Sequence, residues 1–142
     1  MLLHERAISD DVARERGCYT EQNPPSLSAL GFKPGQRGVG MVVPLCSLRG
    51  AVESHLLRRD EPRSNKQGKP IKYEAPAGGH MLIDVPPRCR AELGNPKVEL
   101  FITESPLKAD AGASAGLACI DVSGVWGWRS KNAQNGKVAQ AD

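Results

Sequence analysis

The sequence VELFITESPLKADAGASAGLACID, residues 98–121, decides the fold class. Residues 98–103 are a short, largely apolar run that predicts a buried strand. Ser105 and Pro106 then match the residue types preferred at an N-cap and at the first helical position. An alanine-rich segment follows, and a second apolar run occupies residues 117–120. Strand, helix and strand with tight connections predict a parallel, right-handed βαβ unit.

Charged side chains occur where such a unit would bind a ligand. Open parallel sheets bind ligands beyond the carboxyl ends of their strands, and Glu104 directly follows the first strand while Asp121 ends the second. Carboxylates at this edge can hold Mg²⁺ or act as a general acid or base. The alternatives are that Glu104 is a solvated residue favoured by the helix dipole and that Asp121 caps a turn. Lys108, in the first helical turn, either faces an anion or is simply exposed to water.

The composition narrows the class of protein. The 142 residues suit one domain, and 15 Gly and 11 Pro predict a small core with long loops. The net charge of +3 permits a polyanionic partner without requiring one. No apolar run reaches the roughly 20 residues of a membrane helix, and the four cysteines form no C-x-x-C pair, so we expect a cytoplasmic protein without a zinc knuckle.

Upstream of the βαβ unit, the chain predicts short helices and antiparallel strands. Ser9 is expected to cap one helix and Ser26 a second. The overall fold class is therefore α/β, in which an α+β N-terminal part with short antiparallel strands precedes the βαβ unit. The predicted elements are helices at residues 10–16 and 27–30 and strands at residues 41–45, 51–59 and 81–85.

The segment from residue 58 to residue 72 is strongly basic, with six Lys or Arg against two acids. Cations contact phosphates without reading sequence, and an adjacent aromatic ring can stack on a base. The alternative is a solvated loop that has no ligand. The candidate nucleic-acid-binding residues in or directly after this segment, which also contains Lys66, are Arg58, Arg59, Arg63, Lys69, Lys72 and Tyr73, together with Lys108 on the predicted helix.

Three motifs, in order, resemble an uncharacterised Toprim-like domain family of replication proteins from phages, plasmids and integrated elements. Residues 100–128, LFITESPLKADAGASAGLACIDVSGVWGW, are similar to the family pattern ITEG-x-KKADA…G…GVWNW. Residues 58–76, RRDEPRSNKQGKPIKYEAP, are similar to RPD-x-PR…GK-x-KYE-x-P, and residues 82–87, LIDVPP, fit as well. Members of this family are often joined to primase or helicase modules.

The resemblance implies a division of the chain and a set of roles. Residues 1–97 would be a primase-core-like segment with a basic loop and residues 98–128 the start of a Toprim-like domain. Residues 129–142 are polar and lack apolar periodicity, which by itself predicts a disordered tail. Glu104 would be the Toprim glutamate that binds Mg²⁺. By a more distant similarity to bacterial primase cores, the basic lane along DNA or RNA would be formed by Arg58, Arg63, Lys69 and Lys72.

Two departures from the family pattern limit the expected activity. Its Glu-Gly is here Glu104-Ser105, and its second Lys is Leu107. The D-x-D pair expected on a later strand is missing, so we expect an incomplete core that is inactive alone. Three functions stay open: a single-strand-binding replication module with a helicase or primase partner, an Mg²⁺-dependent nucleotidyltransferase completed by other carboxylates, and a truncated remnant that binds a protein.

Overall fold

A computed structural model describes residues 2–79, 82–122, 129–131 and 137–139. Two compact units make up the chain: Met1–Arg16, Leu45–Val52 and His80–Asp142 form the first, and Gly17–Pro44 and Glu53–Gly79 form the second. The helices are α1 (Leu2–Glu5), α2 (Asp10–Arg16), α3 (Pro24–Ala29) and α4 (Pro106–Ser114), with 3₁₀ turns at Pro34–Gln36 and Pro87–Glu92. The strands are β1 (Tyr19–Glu21), β2 (Gly40–Cys46), β3 (Val52–Arg59), β4 (Leu100–Thr103), β5 (Ala118–Asp121), β6 (Arg129–Lys131) and β7 (Lys137–Ala139).

The first unit contains the predicted βαβ arrangement. Strands β4 and β5 pair in parallel, with Leu100 opposite Ala118 and Thr103 opposite Asp121. Helix α4 connects them and begins as expected, with Ser105 in an extended conformation at the N-cap and Pro106 in the first turn. The backbone φ of +80° at Gly116 is the left-handed conformation that lets the chain leave the helix. The mixed α/β fold class predicted from the sequence is thereby confirmed.

Helix α4 lies very close to β5 because Gly112 has no side chain. A Cβ atom at this position would collide with the Sγ atom of Cys119. Leu107, Ala109 and Ala113 are buried on the same helix, and all four residues of β5 are buried. Small residues on α4 thus let a short helix cover the strand at close range.

The prediction that β4 is a buried strand is wrong. Leu100 and Phe101 are both exposed, and Ile102 keeps 66% of its surface accessible. Among the described residues, β4 pairs with β5 alone, so it is an edge strand of a two-stranded sheet. An apolar run is typical of a strand covered on both faces, but here the described residues leave much of β4 uncovered.

The second unit contains β1, β2 as far as Pro44 and β3 from Glu53 onward, and these strands lie in the order β1-β2-β3 in one sheet. β1 runs antiparallel to β2, with Tyr19 opposite Val42. The helix predicted to begin after Ser26 begins earlier, at Pro24, because both prolines fit its first turn and Asn23 takes the extended N-cap conformation. The core of this unit consists of Leu27, Phe32, Val42 and Leu57, with Leu30 packed against it.

Two further segments differ from the prediction. Residues 82–85 form no strand; a single antiparallel bridge joins Asp84 to Asp121, and Met81 lies outside the described residues. In the segment 129–142, predicted to be disordered, β6 and β7 form an antiparallel pair. The GVWGW portion of the sequence motif, residues 124–128, also lies outside the described residues. No described helix combines the length and apolarity needed to span a membrane.

Candidate nucleic-acid interface

The basic arm, defined as residues 60–73 of the second unit, is an ordered excursion that follows β3. Ser64 and Pro70 form an antiparallel bridge, and the Ile71 N–H donates to the Arg63 carbonyl at 2.8 Å. At the tip, the Asn65 side-chain oxygen accepts the backbone N–H groups of Gln67 and Lys69, each at 2.9 Å. An Asn that bonds nearby backbone N–H groups stabilises a turn. The arm therefore has a defined shape although its side chains are mostly exposed.

Three lysines of the basic arm extend into solvent. Lys66, Lys69 and Lys72 are all exposed. Within the part of the chain that the structure describes, none of the three is within ion-pair distance of a carboxylate. Such ammonium groups are available to an anion from outside the protein. The prediction that Lys69 and Lys72 contact nucleic acid is consistent with this exposure and remains a prediction.

Arg58 and Tyr73 form a cation–π pair at the base of the arm. The Arg58 guanidinium carbon lies 5.8 Å from the centre of the Tyr73 ring. Arg58 is half-buried, and the Tyr73 hydroxyl is buried without a hydrogen-bond partner among the described residues. The contact orients the Arg58 guanidinium over the ring and stabilises it by about 0.5–1 kcal/mol.

Arg59 and Arg63, also predicted to bind nucleic acid, are occupied within the protein. Arg59 packs where a Cβ atom at Gly38 would otherwise lie, and its Nη1 donates to the Gly35 carbonyl at 3.5 Å. Arg63 donates from Nε and Nη2 to the two carboxylate oxygens of Glu74. Arg63 is thus paired with a carboxylate in the unbound protein, and the nucleic-acid contacts of Arg59 and Arg63 remain a prediction. The exposed lysines differ from Arg63 in having no such partner among the described residues.

Glu104 and Lys108 pair with each other at the start of α4. Lys108 Nζ lies 2.5 Å from Glu104 Oε1, and both side chains are about half exposed. The Lys108 ammonium holds the pKa of the Glu104 carboxyl below its ordinary value. Glu104 is therefore an ionised, accessible carboxylate just beyond the carboxyl end of β4. The cation beside this carboxylate is Lys108, one turn later on α4, and the catalytic role of Glu104 remains a prediction.

Asp121, the second predicted metal ligand, is fully buried at the end of β5. Its backbone pairs with Asp84 through two N–H···O bonds of 2.8 Å. Among the described residues, no three His, Cys, Asp or Glu side chains are grouped so that they could hold a metal ion. The described residues thus do not form a magnesium site by themselves, and Mg²⁺ at Glu104 stays a prediction.

The first unit also contains a buried ionic cluster that sequence reasoning missed. Arg16 on α2 donates from Nη1 to Asp84 Oδ1 and from Nη2 to Asp110 Oδ1, each at 2.6 Å. Asp84 Oδ1 also accepts the Cys46 N–H at 2.7 Å, whereas Asp84 Oδ2 is buried without a partner among the described residues. Burial raises the pKa of both aspartates despite the nearby guanidinium. The sequence feature that could have indicated this cluster is the charged Asp110 within an alanine-rich helix.

The fold described above is similar to that of bacterial primase cores. A crystal structure of the Aquifex aeolicus primase, comprising its zinc-binding and RNA polymerase domains, matches with a TM-score of 0.62 and 14% identity, over 84% of this chain and 35% of that chain. The structure of the DnaG catalytic core matches with a TM-score of 0.57 and 16% identity, over 84% of this chain and 45% of that one. At these identities the likeness concerns the fold.

The sequence comparison adds a family match in the first unit. Residues 91–142 match the model of a family described as Domain of unknown function (DUF3854). This segment contains β4, α4 and β5, together with Glu104 and Lys108. Among curated proteins, none matches this sequence. The chain spans less than half of the length of either primase structure that it resembles.

Proposed function

We propose that this protein is a replication-associated, primase-like module that binds single-stranded DNA or RNA along the basic arm. The observation that carries the proposal is the presence of three exposed lysines, Lys66, Lys69 and Lys72, on one ordered arm without a carboxylate partner among the described residues. Cations held in this way neutralise backbone phosphates and release condensed counterions. The nearby Arg58–Tyr73 pair adds a guanidinium that is already oriented.

The replication role is supported by two independent similarities. The fold resembles structures titled as a primase and as the DnaG catalytic core, and the sequence motifs resemble a family of phage, plasmid and mobile-element replication proteins. We propose that the protein acts in such a system, in the cytoplasm, beside a helicase or primase partner. The 142 residues would then supply the front part of a primase-type core.

Binding of a fluorescent oligonucleotide, followed by anisotropy, tests the proposal. Lys69→Ala combined with Lys72→Ala should weaken binding by about tenfold, a factor that corresponds to roughly 1.4 kcal/mol. The matched control combines Arg14→Ala with Lys97→Ala, which removes two exposed cations from the first unit and changes the net charge equally. Equal decreases in the two double variants would contradict a specific role of the arm. Absence of binding by the unaltered protein would refute the function.

A second candidate function rests on Glu104. We propose that this carboxylate becomes one ligand of an Mg²⁺ site for nucleotidyl transfer if further carboxylates complete the site. Support comes from its place beyond a parallel strand and from its lowered pKa, because an ionised oxygen ligand suits Mg²⁺. No reaction step follows from the described residues alone. Titration with Mg²⁺, monitored by the NMR signals of Glu104 and Lys108, should show shifts that Glu104→Gln abolishes; unchanged spectra would exclude this candidate.

A further inference from the structure

Glu74 is a buried acid at the base of the basic arm. Only 3% of its surface is accessible. Its backbone is paired in both directions with Leu57 of β3, through N–H···O bonds of 2.8 and 2.9 Å. The backbone of Glu74 is therefore held by the sheet, and its carboxylate is fixed with respect to β3.

The Glu74 carboxylate holds the start of the arm through the side chain of Arg63. Its two oxygens accept the Nε and Nη2 hydrogens of Arg63, with 2.9 Å between Nη2 and Oε2. Gln36 Nε2 also lies 3.3 Å from Oε2 and donates to the Ala75 carbonyl at 2.7 Å. A two-point guanidinium–carboxylate contact fixes orientation as well as distance. Glu74 therefore links the start of the arm to the strand that precedes it.

The backbone contacts around Arg63 hold the part of the arm that carries the lysines. The Arg63 carbonyl accepts the Ile71 N–H, and the next residue, Ser64, bridges Pro70. These contacts set the register of the two sides of the arm, from which Lys66, Lys69 and Lys72 extend. If Arg63 were released, the backbone of the arm would no longer be attached to Glu74 through this side chain, and the lysines would sample more positions. Ordering them again would reduce affinity for a ligand.

We infer that Glu74 and Arg63 are positioning residues of the nucleic-acid interface, and that Arg63 is not one of its phosphate ligands. The inference rests on the proposed function. It reverses the electrostatic expectation for both residues: an acid that repels a polyanion at long range strengthens binding, and an arginine of the basic arm makes no phosphate contact. Both effects act through the geometry of the lysines.

The first test asks whether neutralising Glu74 strengthens or weakens oligonucleotide binding. Glu74→Gln removes a negative charge, so charge alone predicts tighter binding of an oligonucleotide at low salt. The positioning role predicts weaker binding, together with faster hydrogen exchange at the amides of Lys69 and Ile71. Glu61→Gln, an exposed acid of the same arm, is the matched control and should tighten binding slightly. Equal or tighter binding by Glu74→Gln would overturn the inference and leave the proposed function intact.

The second test uses salt dependence and applies even if Glu74→Gln does not fold. Each phosphate contact with a single strand contributes about 0.7 to the slope of log affinity against log salt concentration. Arg63→Gln should lower affinity without changing this slope, whereas Lys69→Gln should reduce it by about 0.7. An equal reduction in both variants would show Arg63 to be a phosphate ligand and overturn the inference. If the unaltered protein shows no binding, the proposed function and the inference fail together.

Discussion

Arg16 and Asp110 form a buried ion pair between α2 and α4, with 2.6 Å between Arg16 Nη2 and Asp110 Oδ1. Their positions are 94 residues apart in the sequence. Because Asp110 lies on the helix that follows Glu104, this pair fixes α4, and with it the start of the helix where Glu104 and Lys108 meet. The same guanidinium reaches Asp84 and thereby holds the segment that bridges β5.

Removal of Arg16 should destabilise the protein strongly. Arg16→Ala leaves Asp84 and Asp110 buried without their shared cation, and breaking a buried pair from one side typically costs about 3–5 kcal/mol. Urea unfolding of the variant should show a free energy of unfolding lower by this amount. Arg14→Ala, on the exposed face of the same helix, is the control and should change it by less than about 0.5 kcal/mol. Similar stabilities of the two variants would show that the buried cluster does not hold the unit together.

The close packing of α4 on β5 predicts that a side chain at Gly112 will lower the stability of the protein. Gly112→Ala should destabilise by about 1–3 kcal/mol because the new Cβ atom collides with Cys119 Sγ. In an exposed helix the same change would stabilise by about 1 kcal/mol. The cost should therefore fall or reverse in a Cys119→Ala background, which removes the sulfur. Thermal unfolding of the four proteins in this cycle measures the coupling; a cost that is independent of Cys119 would contradict the packing described here.

Glu74 should titrate abnormally. Burial opposes its ionisation, but the hydrogen bonds from Arg63 and Gln36 prevail, so its pKa lies below the ordinary value. NMR titration should locate this pKa below that of an ordinary Glu carboxyl, and Arg63→Gln should raise it, because burial then acts without its main compensation. An unchanged pKa in Arg63→Gln would mean that the two side chains do not interact in solution.

This titration also gives a pH dependence of known sign. A carboxyl whose pKa is lower in the folded state stabilises that state above its unfolded pKa, and the contribution disappears as pH falls through the folded value. The attachment of the basic arm should therefore be complete at neutral pH and weaken only in acid, as pH falls through the lowered pKa of Glu74. Proteolysis within residues 60–73, measured across this range with an acid-stable protease, should increase at the low end in the unaltered protein and vary less in Glu74→Gln.

The parts of the fold that follow from neighbouring residues could be predicted from the sequence. Pro106 marks the start of α4, and the apolar residues around Phe101 and Cys119 predict the strands that it connects. Each of these features depends on residues that are close together in the sequence. The parallel pairing of β4 with β5 then follows from the short connection.

The remaining features depend on contacts between distant residues. Arg16 is the last residue of a short helix, and nothing near it indicates that Asp84 and Asp110 will surround it. The exposure of Ile102 depends on which segments cover β4, and an apolar run alone does not reveal them.

In the candidate site, too, the sequence does not reveal which side chains contact one another. A count of basic residues treats Arg63 and Lys69 alike, although Arg63 is bound to Glu74 and Lys69 is free of any described ion pair. Glu74 is the Glu of the KYE motif, but neither that motif nor its place beside Tyr73 indicates that the carboxylate is buried. Only the backbone pairing of Glu74 with Leu57 brings its carboxylate inside the second unit, where it meets the guanidinium of Arg63.

The salt dependence of single-strand binding tests the central claim most directly. We predict that the affinity of the unaltered protein falls steeply with salt, and that Lys69→Ala combined with Lys72→Ala reduces the slope by about 1.4, or about 0.7 for each lysine that no longer neutralises a phosphate. The control with Arg14→Ala and Lys97→Ala should keep the slope of the unaltered protein. The same slope in all three proteins would contradict the account, since the lysines of the basic arm would then not touch the nucleic-acid backbone.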